Sequence, residues 1–253
     1  NFNKVLTIKP DFAEAHFNLG RVLQEQGEQD EAITSYHKAL AIKPDYTDAH
    51  FNLGVALMEG DMLDEAVESF HKALAINPEY VETHNNLGNA LTKLERWAEA
   101  MESYQKALTI KPEFAEAHFN LGNVLMETGK LDDAVDSYQK ALGVKPEYAE
   151  AHNNLGNTFR ELGRTEEAVG SYQEAVNIKP DYADAHSNLG HAFKKLGRTE
   201  EAIASYREAL AIEPDFYEVQ HNLNSLLGNT TDTAPREYVE GIFNSYAQNF
   251  ENH

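Results

Sequence analysis

Residues 149–182 read AEAHNNLGNTFRELGRTEEAVGSYQEAVNIKPDY, one complete copy of a unit that recurs along almost the whole chain. Proline marks the period. Pro10, Pro44, Pro78, Pro112, Pro146, Pro180 and Pro214 stand 34 residues apart without a slip, and only Pro235 lies outside the series. A fixed period of that length predicts stacked supersecondary units rather than one globular core. Six whole units run over residues 13–216, with a half unit before them and a half unit after.

Each unit predicts two helices. In the quoted copy Ala151, Leu155, Thr158, Phe159 and Leu162 fall on one helical stripe. Gly163 ends it, because glycine serves where a helix closes in a left-handed turn. A second helix starts near Thr165, which is expected to cap it, with Glu166 and Glu167 against the positive end of the helix dipole. Ala168, Val169, Tyr172, Ala175 and Val176 form its apolar stripe, Lys179 sits at the negative end, and Pro180 stops it.

These residues carry a resemblance. Leu-Gly, then Ala, an aromatic, Ala and Pro at fixed offsets is the pattern of the tetratricopeptide repeat. Here it is Leu155-Gly156, Ala168, Tyr172, Ala175 and Pro180, and every other copy repeats it. The chain is similar to that family over residues 1–228. The resemblance implies an all-α fold, a right-handed superhelical solenoid of antiparallel helix pairs. The expected organisation is a partial repeat over 1–12, the solenoid over 13–228, and a linker with a new helix over 229–253. Two copies depart from the pattern at the turn glycine. Glu95 replaces it in one, and in the other Gly60 comes one position early, followed by Asp61. The family's Trp position holds His16, His50, His84, His118, His152 and His186.

The chain has no cysteine, which excludes disulfides and thiolate chemistry. Its net charge is −21. So acidic a chain repels phosphate backbones, which argues against nucleic acid and anionic membrane as partners. No apolar run is long enough to span a membrane, and the reading is of a cytoplasmic protein. Acidic pairs such as Asp30-Glu31, Asp64-Glu65 and Glu200-Glu201 open second helices, a structural use of the charge. Residue 1 matches the middle of a second helix, so a piece of a longer protein is expected.

After residue 228 the character changes. Residues 228–233, GNTTDT, read as a linker. Residues 235–250, PREYVEGIFNSYAQNF, predict a helix capped by Thr233, with Val239, Ile242, Phe243, Tyr246 and Phe250 on one face. This helix is expected to cap the unfinished seventh repeat, with self-association through it as the alternative. The segment is also similar to the lead-in of S-adenosylmethionine-dependent methyltransferase domains fused behind bacterial tetratricopeptide repeats. That resemblance implies that the chain is the recruiting arm of an enzyme.

Within the sequence itself no Gly-rich phosphate loop, G-x-S-x-G or clustered metal motif occurs. No catalytic residue, cofactor or metal is therefore expected. The histidine series is read as packing between helices, since a periodic residue in a solenoid is first a stacking residue. The aromatics before each first helix, Phe12, Tyr46, Tyr80, Phe114, Tyr148, Tyr182 and Phe216, are read the same way.

The asparagines differ. Asn18, Asn52, Asn86, Asn120, Asn154, Asn188 and Asn222 all stand one before Leu-Gly or its equivalent. Asn is a poor helix-interior residue, so its use in seven copies implies a demand. In the family this position faces the concave groove, and the repeats are similar to those of protein O-linked N-acetylglucosamine transferases, which carry an asparagine ladder there. The alternative is a side-chain bond between adjacent repeats. Beside the ladder stand Phe17, Phe51, Asn85, Phe119, Asn153 and Ser187, and three residues after it Arg21, Val55, Asn89, Asn123, Asn157 and His191. Phe17, Phe51 and Phe119 suit apolar side chains, Asn89, Asn123 and Asn157 add amides, and Arg160, Lys194 and Lys195 favour acidic groups. The leading function is binding of a protein or extended peptide in this groove. The alternatives are a glycosyltransferase-like recognition superhelix and a self-assembling scaffold.

Overall fold

The computed structural model describes residues 6–229. Within them the chain is all helix, as the period predicts, with thirteen helices and a helical stretch at residues 6–8. Along the chain they are α1 Ala13–Glu25, α2 Gln29–Ile42, α3 Thr47–Glu59, α4 Leu63–Ile76, α5 Val81–Lys93, α6 Trp97–Ile110, α7 Ala115–Glu127, α8 Leu131–Val144, α9 Ala149–Glu161, α10 Thr165–Ile178, α11 Ala183–Lys195, α12 Thr199–Ile212 and α13 Tyr217–Leu226. Odd numbers are first helices of a repeat, even numbers second. The chain gathers into two compact units, Asn1–Val144 and Lys145–His253. The helix expected over 235–250, its cap and its docking lie outside the described residues.

The pairing follows from one contact. Tyr36, Phe70, Tyr104, Tyr138, Tyr172 and Tyr206, one per second helix, are 0–1 % exposed. Each ring lies on the glycine of Leu-Gly in the first helix. A Cβ added at Gly20, Gly54, Gly88, Gly122, Gly156 or Gly190 would stand 2.5–2.7 Å from the ring, nearer than any real contact. Glycine thus lets the helices close until the ring is dry, and full burial of one such side chain contributes roughly 2–3 kcal/mol. Ala32, Ala39, Ala66, Ala73, Ala100 and Ala107 and their later equivalents pack around the rings, each fully buried.

The turn between paired helices is a Schellman motif. In the quoted copy Gly163 has φ 76°. Its N–H donates to the Arg160 carbonyl at 3.1 Å, and the Arg164 N–H donates to that of Phe159 at 2.8 Å. Asp61 and Glu95 hold the same left-handed place with φ 59° and 57°. The two departures in the sequence are therefore departures in residue only; the backbone turn is kept against a steric cost of roughly 1–2 kcal/mol each.

One expectation is corrected. Thr165 does not cap α10. Arg164 occupies the cap position, no side chain bonds the helix N–H groups there, and Thr165 is the first helical residue. The tight turn is the cause. It turns Thr165 inward, 4 % exposed, while the Arg164 guanidinium reaches forward to the Glu167 carboxylate and lies 4.5 Å over the Phe159 ring.

Two glycines with opposite surroundings test the role of the ring contact. Gly170, inside α10, has nothing within 4 Å of an added Cβ. Gly170→Ala should raise the melting temperature, reflecting up to about 1 kcal/mol of helix propensity. Gly156→Ala should lower it despite the same propensity gain, because overpacking costs roughly 1–3 kcal/mol. Thermal melts of both variants followed by circular dichroism check this.

Candidate functional site

First helices also touch one another along each unit, α1 with α3, α3 with α5 and α5 with α7 in the first, α9 with α11 in the second. Each stack therefore closes most tightly on its first-helix side, which forms its inner face. The Asn ladder lies on these helices, and all seven side chains are half-buried.

What each Asn bonds depends on the preceding repeat. Asn52 follows Phe17 and Arg21, and its Nδ2 donates back to its own helix at the Asp48 carbonyl, 2.8 Å away. Asn18 does the same to Glu14. Asn120 follows Asn85 and Asn89 and donates to both Oδ1 atoms, at 3.2 and 3.0 Å. Asn188 donates to Asn153 Oδ1 at 3.0 Å. Asn222 bonds His191 Nε2 at 3.1 Å and the Glu218 carbonyl at 3.0 Å. Asn86 Oδ1 accepts from Asn89 Nδ2, and Asn154 Oδ1 from Asn153 Nδ2, both at 3.4 Å. Bonds between adjacent repeats thus occur at Asn120, Asn188 and Asn222, whereas Asn52, which follows Phe17, turns back on its own helix.

Asn89, Asn123 and Asn157 have a second task. Their Oδ1 atoms accept from the hydroxyls of Tyr104, Tyr138 and Tyr172 at 2.8, 2.7 and 2.8 Å. Burial pushes the Tyr104 and Tyr172 hydroxyls up to about 12, so both remain donors. The sequence holds the signal for this pairing. The one repeat with Phe70 instead of tyrosine has Val55 instead of a polar partner.

Phe17 is 8 % exposed. Its ring stands 4.9 Å from that of Tyr46 and 6.0 Å from that of Tyr36. Phe51 packs between Phe70 and Tyr80 in the same way and stays half-buried, as does Phe119. Between Asn52 and Arg21 opens a depression of about 370 Å³, lined also by Gln24, Glu25 and Glu59.

The histidines bridge rather than stack alone. His16, His50, His84, His118, His152 and His186 each place Nε2 at 2.8–3.0 Å from the carbonyl of the proline six residues earlier. A carbonyl only accepts, so Nε2 carries the proton. The constant Pro-to-His spacing of six was the signal for this tie. Among the described residues no group of three His, Asp or Glu side chains could hold a metal ion, and no helix is long and apolar enough to cross a membrane.

A family model described as the cilia and flagella-associated protein 70 C-terminal domain matches residues 12–213. Comparison with curated proteins gives no match. Among solved structures, the chain is similar to YrrB, titled a TPR protein with an unusual peptide-binding site, with 28 % identity, 73 % of this chain and 95 % of that chain covered, and a TM-score of 0.62. MamA is 26 % identical over 65 % of this chain and 96 % of that one, with a TM-score of 0.62. PilW, a type IV pilus biogenesis factor, shares the fold at 24 % identity and a TM-score of 0.73, over 83 % of this chain and 98 % of that one.

The tyrosine pairing is testable by a double-mutant cycle. Tyr172→Phe and Asn157→Val should each destabilise. Together they should cost less than their sum by about 1 kcal/mol, since the pair then matches Phe70 and Val55. Urea melts of the four proteins give the coupling, and a coupling of zero would deny the bond any part in stability.

The histidines set a pH dependence. Burial first holds His50, His84 and His118 below the ordinary value of 6.5, against the opposing pull of the proline carbonyls. A folded pKa below the unfolded one gives stability that is complete above 6.5 and drains away as pH falls through the folded value. The fall in melting temperature from pH 7.5 to 5.5 should shrink when these three are changed to Gln.

Proposed function

We propose that this chain, which belongs to the family of the cilia and flagella-associated protein 70 C-terminal domain, is a tetratricopeptide-repeat scaffold that binds an extended protein segment along its first-helix face. The carrying observation is the state of the ladder in the first unit. Asn18, Asn52 and Asn120 use their Nδ2 groups internally. Their Oδ1 atoms have no partner among the described residues. The inner face thus offers carbonyl oxygens one repeat apart at Asn18 and Asn52 and two repeats further on at Asn120, which suit the N–H groups of an extended backbone. The peptide-binding site named for YrrB supports the same reading by likeness. A recruiting role for a larger enzyme, with a methyltransferase as parent, rests on the sequence over 236–250 alone, and a glycosyltransferase-like superhelix on the ladder resemblance. A cytoplasmic place of action accompanies this reading.

The test is selection from a displayed library of random twelve-residue peptides. The protein should enrich a set of sequences, and the Asn18→Ala/Asn52→Ala variant should bind that set about tenfold more weakly. Both asparagines bond only their own helix, so the variant should keep its melting temperature. No enrichment, or equal binding by the variant, would remove the ladder from recognition.

A further inference from the structure

Exceptions to the repeat pattern gather in two adjacent repeats of the first unit, residues 47–80 and 81–114. Their turns hold Asp61 and Glu95 at φ 59° and 57°, where the other four complete repeats hold Gly27, Gly129, Gly163 and Gly197 at φ 73–80°. Both side chains are exposed, so no packing offsets the left-handed backbone. Thr83 stands where the other five copies have Ala15, Ala49, Ala117, Ala151 and Ala185. It is fully buried and its hydroxyl has no partner, and an unpaired polar group in a dry interior lowers stability. Phe70 has no hydroxyl at all, whereas those of Tyr36, Tyr104, Tyr138 and Tyr172 are held by Gln24, Asn89, Asn123 and Asn157. The Tyr206 hydroxyl, in the other unit, also lacks a partner.

The joint between these two repeats is made differently from its neighbours. Across the joint before it, Gln24 and Gln29 donate to the Glu59 carboxylate at 2.7 and 3.2 Å. Across the joint after it, Asn120 bonds Asn85 and Asn89. Asn86 looks back on Phe51 and Val55 instead, and its amide oxygen is taken by Asn89 of its own helix. Among the described residues one side-chain hydrogen bond crosses this joint, from His84 to the Pro78 carbonyl, a tie that the other five histidines of the series also make. The rest is apolar, with Leu87 and Leu91 3 % and 1 % exposed. Apolar contact is non-directional, so it closes the joint without fixing its angle.

We propose that residues 47–114 are the yielding segment of the first unit, and that their helices, α3 to α6, open together ahead of α7 and α8. In a solenoid each repeat is held by its own interior and by its two neighbours. Residues 47–114 are weakened in the interior at Thr83, in the turns at Asp61 and Glu95, and in the polar bonds between the repeats. Local opening runs through contiguous cooperative units, and two such repeats side by side make one. Asn52 and Asn86 of the ladder lie on α3 and α5, so the opening carries part of the inner face with it. The inference is independent of what binds that face.

Hydrogen–deuterium exchange of the full chain, read by mass spectrometry on peptic peptides, tests this. Amides of α3 to α6 should exchange about tenfold faster than those of α7 and α8. The Asp61→Gly/Thr83→Ala/Glu95→Gly variant restores at each position the residue that most copies hold, so it folds at least as well. In the variant the difference should shrink to about threefold or less. Uniform exchange across α3 to α8 in the unaltered protein would overturn the proposal. So would a difference that the variant keeps. A third pattern, exchange fastest in α1 and α2 and falling steadily along the unit in both proteins, is fraying from one end and overturns it as well.

Discussion

An aromatic ring laid on a glycine is the contact from which the rest of this structure follows. With any side chain at Gly156, the ring of Tyr172 could not reach its place. With the ring in place, the two helices of the repeat are fixed in register, and the hydroxyl at the far edge of the ring meets the residue fifteen earlier, Asn157. That asparagine stands three after the ladder position. Core packing therefore decides which way an inner-face amide points, and the polarity of the candidate site is set from inside the fold. Phe70 has no hydroxyl to offer, and Val55 stands where the amide would be.

The ladder shows how one repeated residue acquires several states. The seven asparagines share a register but not a partner. Asn52 looks back on an apolar ring and turns to its own helix, whereas Asn120 looks back on two amides and ties repeat to repeat. Asn188 and Asn222 receive cations. The two sequence-level explanations of the ladder, recognition and a bond between repeats, are not rivals for the chain as a whole. Both occur along it, the bond between repeats reaching a polar side chain 31 or 35 positions earlier.

This is also the measure of what the sequence could tell. The period of Pro10 to Pro214, the Leu-Gly step and the acid-led second helices specify helix number, order and pairing, because each is a local demand satisfied within 34 residues. Asp61 and Glu95 stood out as exceptions at the turn, and they are the residues that pay a backbone cost there. Thr165 misled because a cap residue and a first helical residue look alike in sequence; the Schellman turn decides between them. The state of each ladder amide was not legible from one repeat. It depends on a side chain a full repeat away, and only comparison of Phe17, Phe51 and Asn85 in register exposes it. The groove residue Phe17 illustrates the same limit. Its register places it beside the ladder, but the Tyr46 ring of the following repeat covers it.

The charge distribution has a physical logic that the net value hides. The second helices carry sixteen of the 42 acids, and pairs there such as Glu167 with Arg164 are solvated and contribute little to stability. At physiological ionic strength their field fades over about 8 Å. A groove residue therefore responds to its immediate neighbours and not to the −21 of the chain. His191 displays this balance. Glu218 alone would favour a charged ring, but burial, aided by Arg160 and Lys194, keeps it neutral. A neutral imidazole can accept from Asn222 Nδ2, which leaves Asn222 Oδ1 for Lys194. The cation at the end of this chain of bonds is held in place by groups that carry no charge.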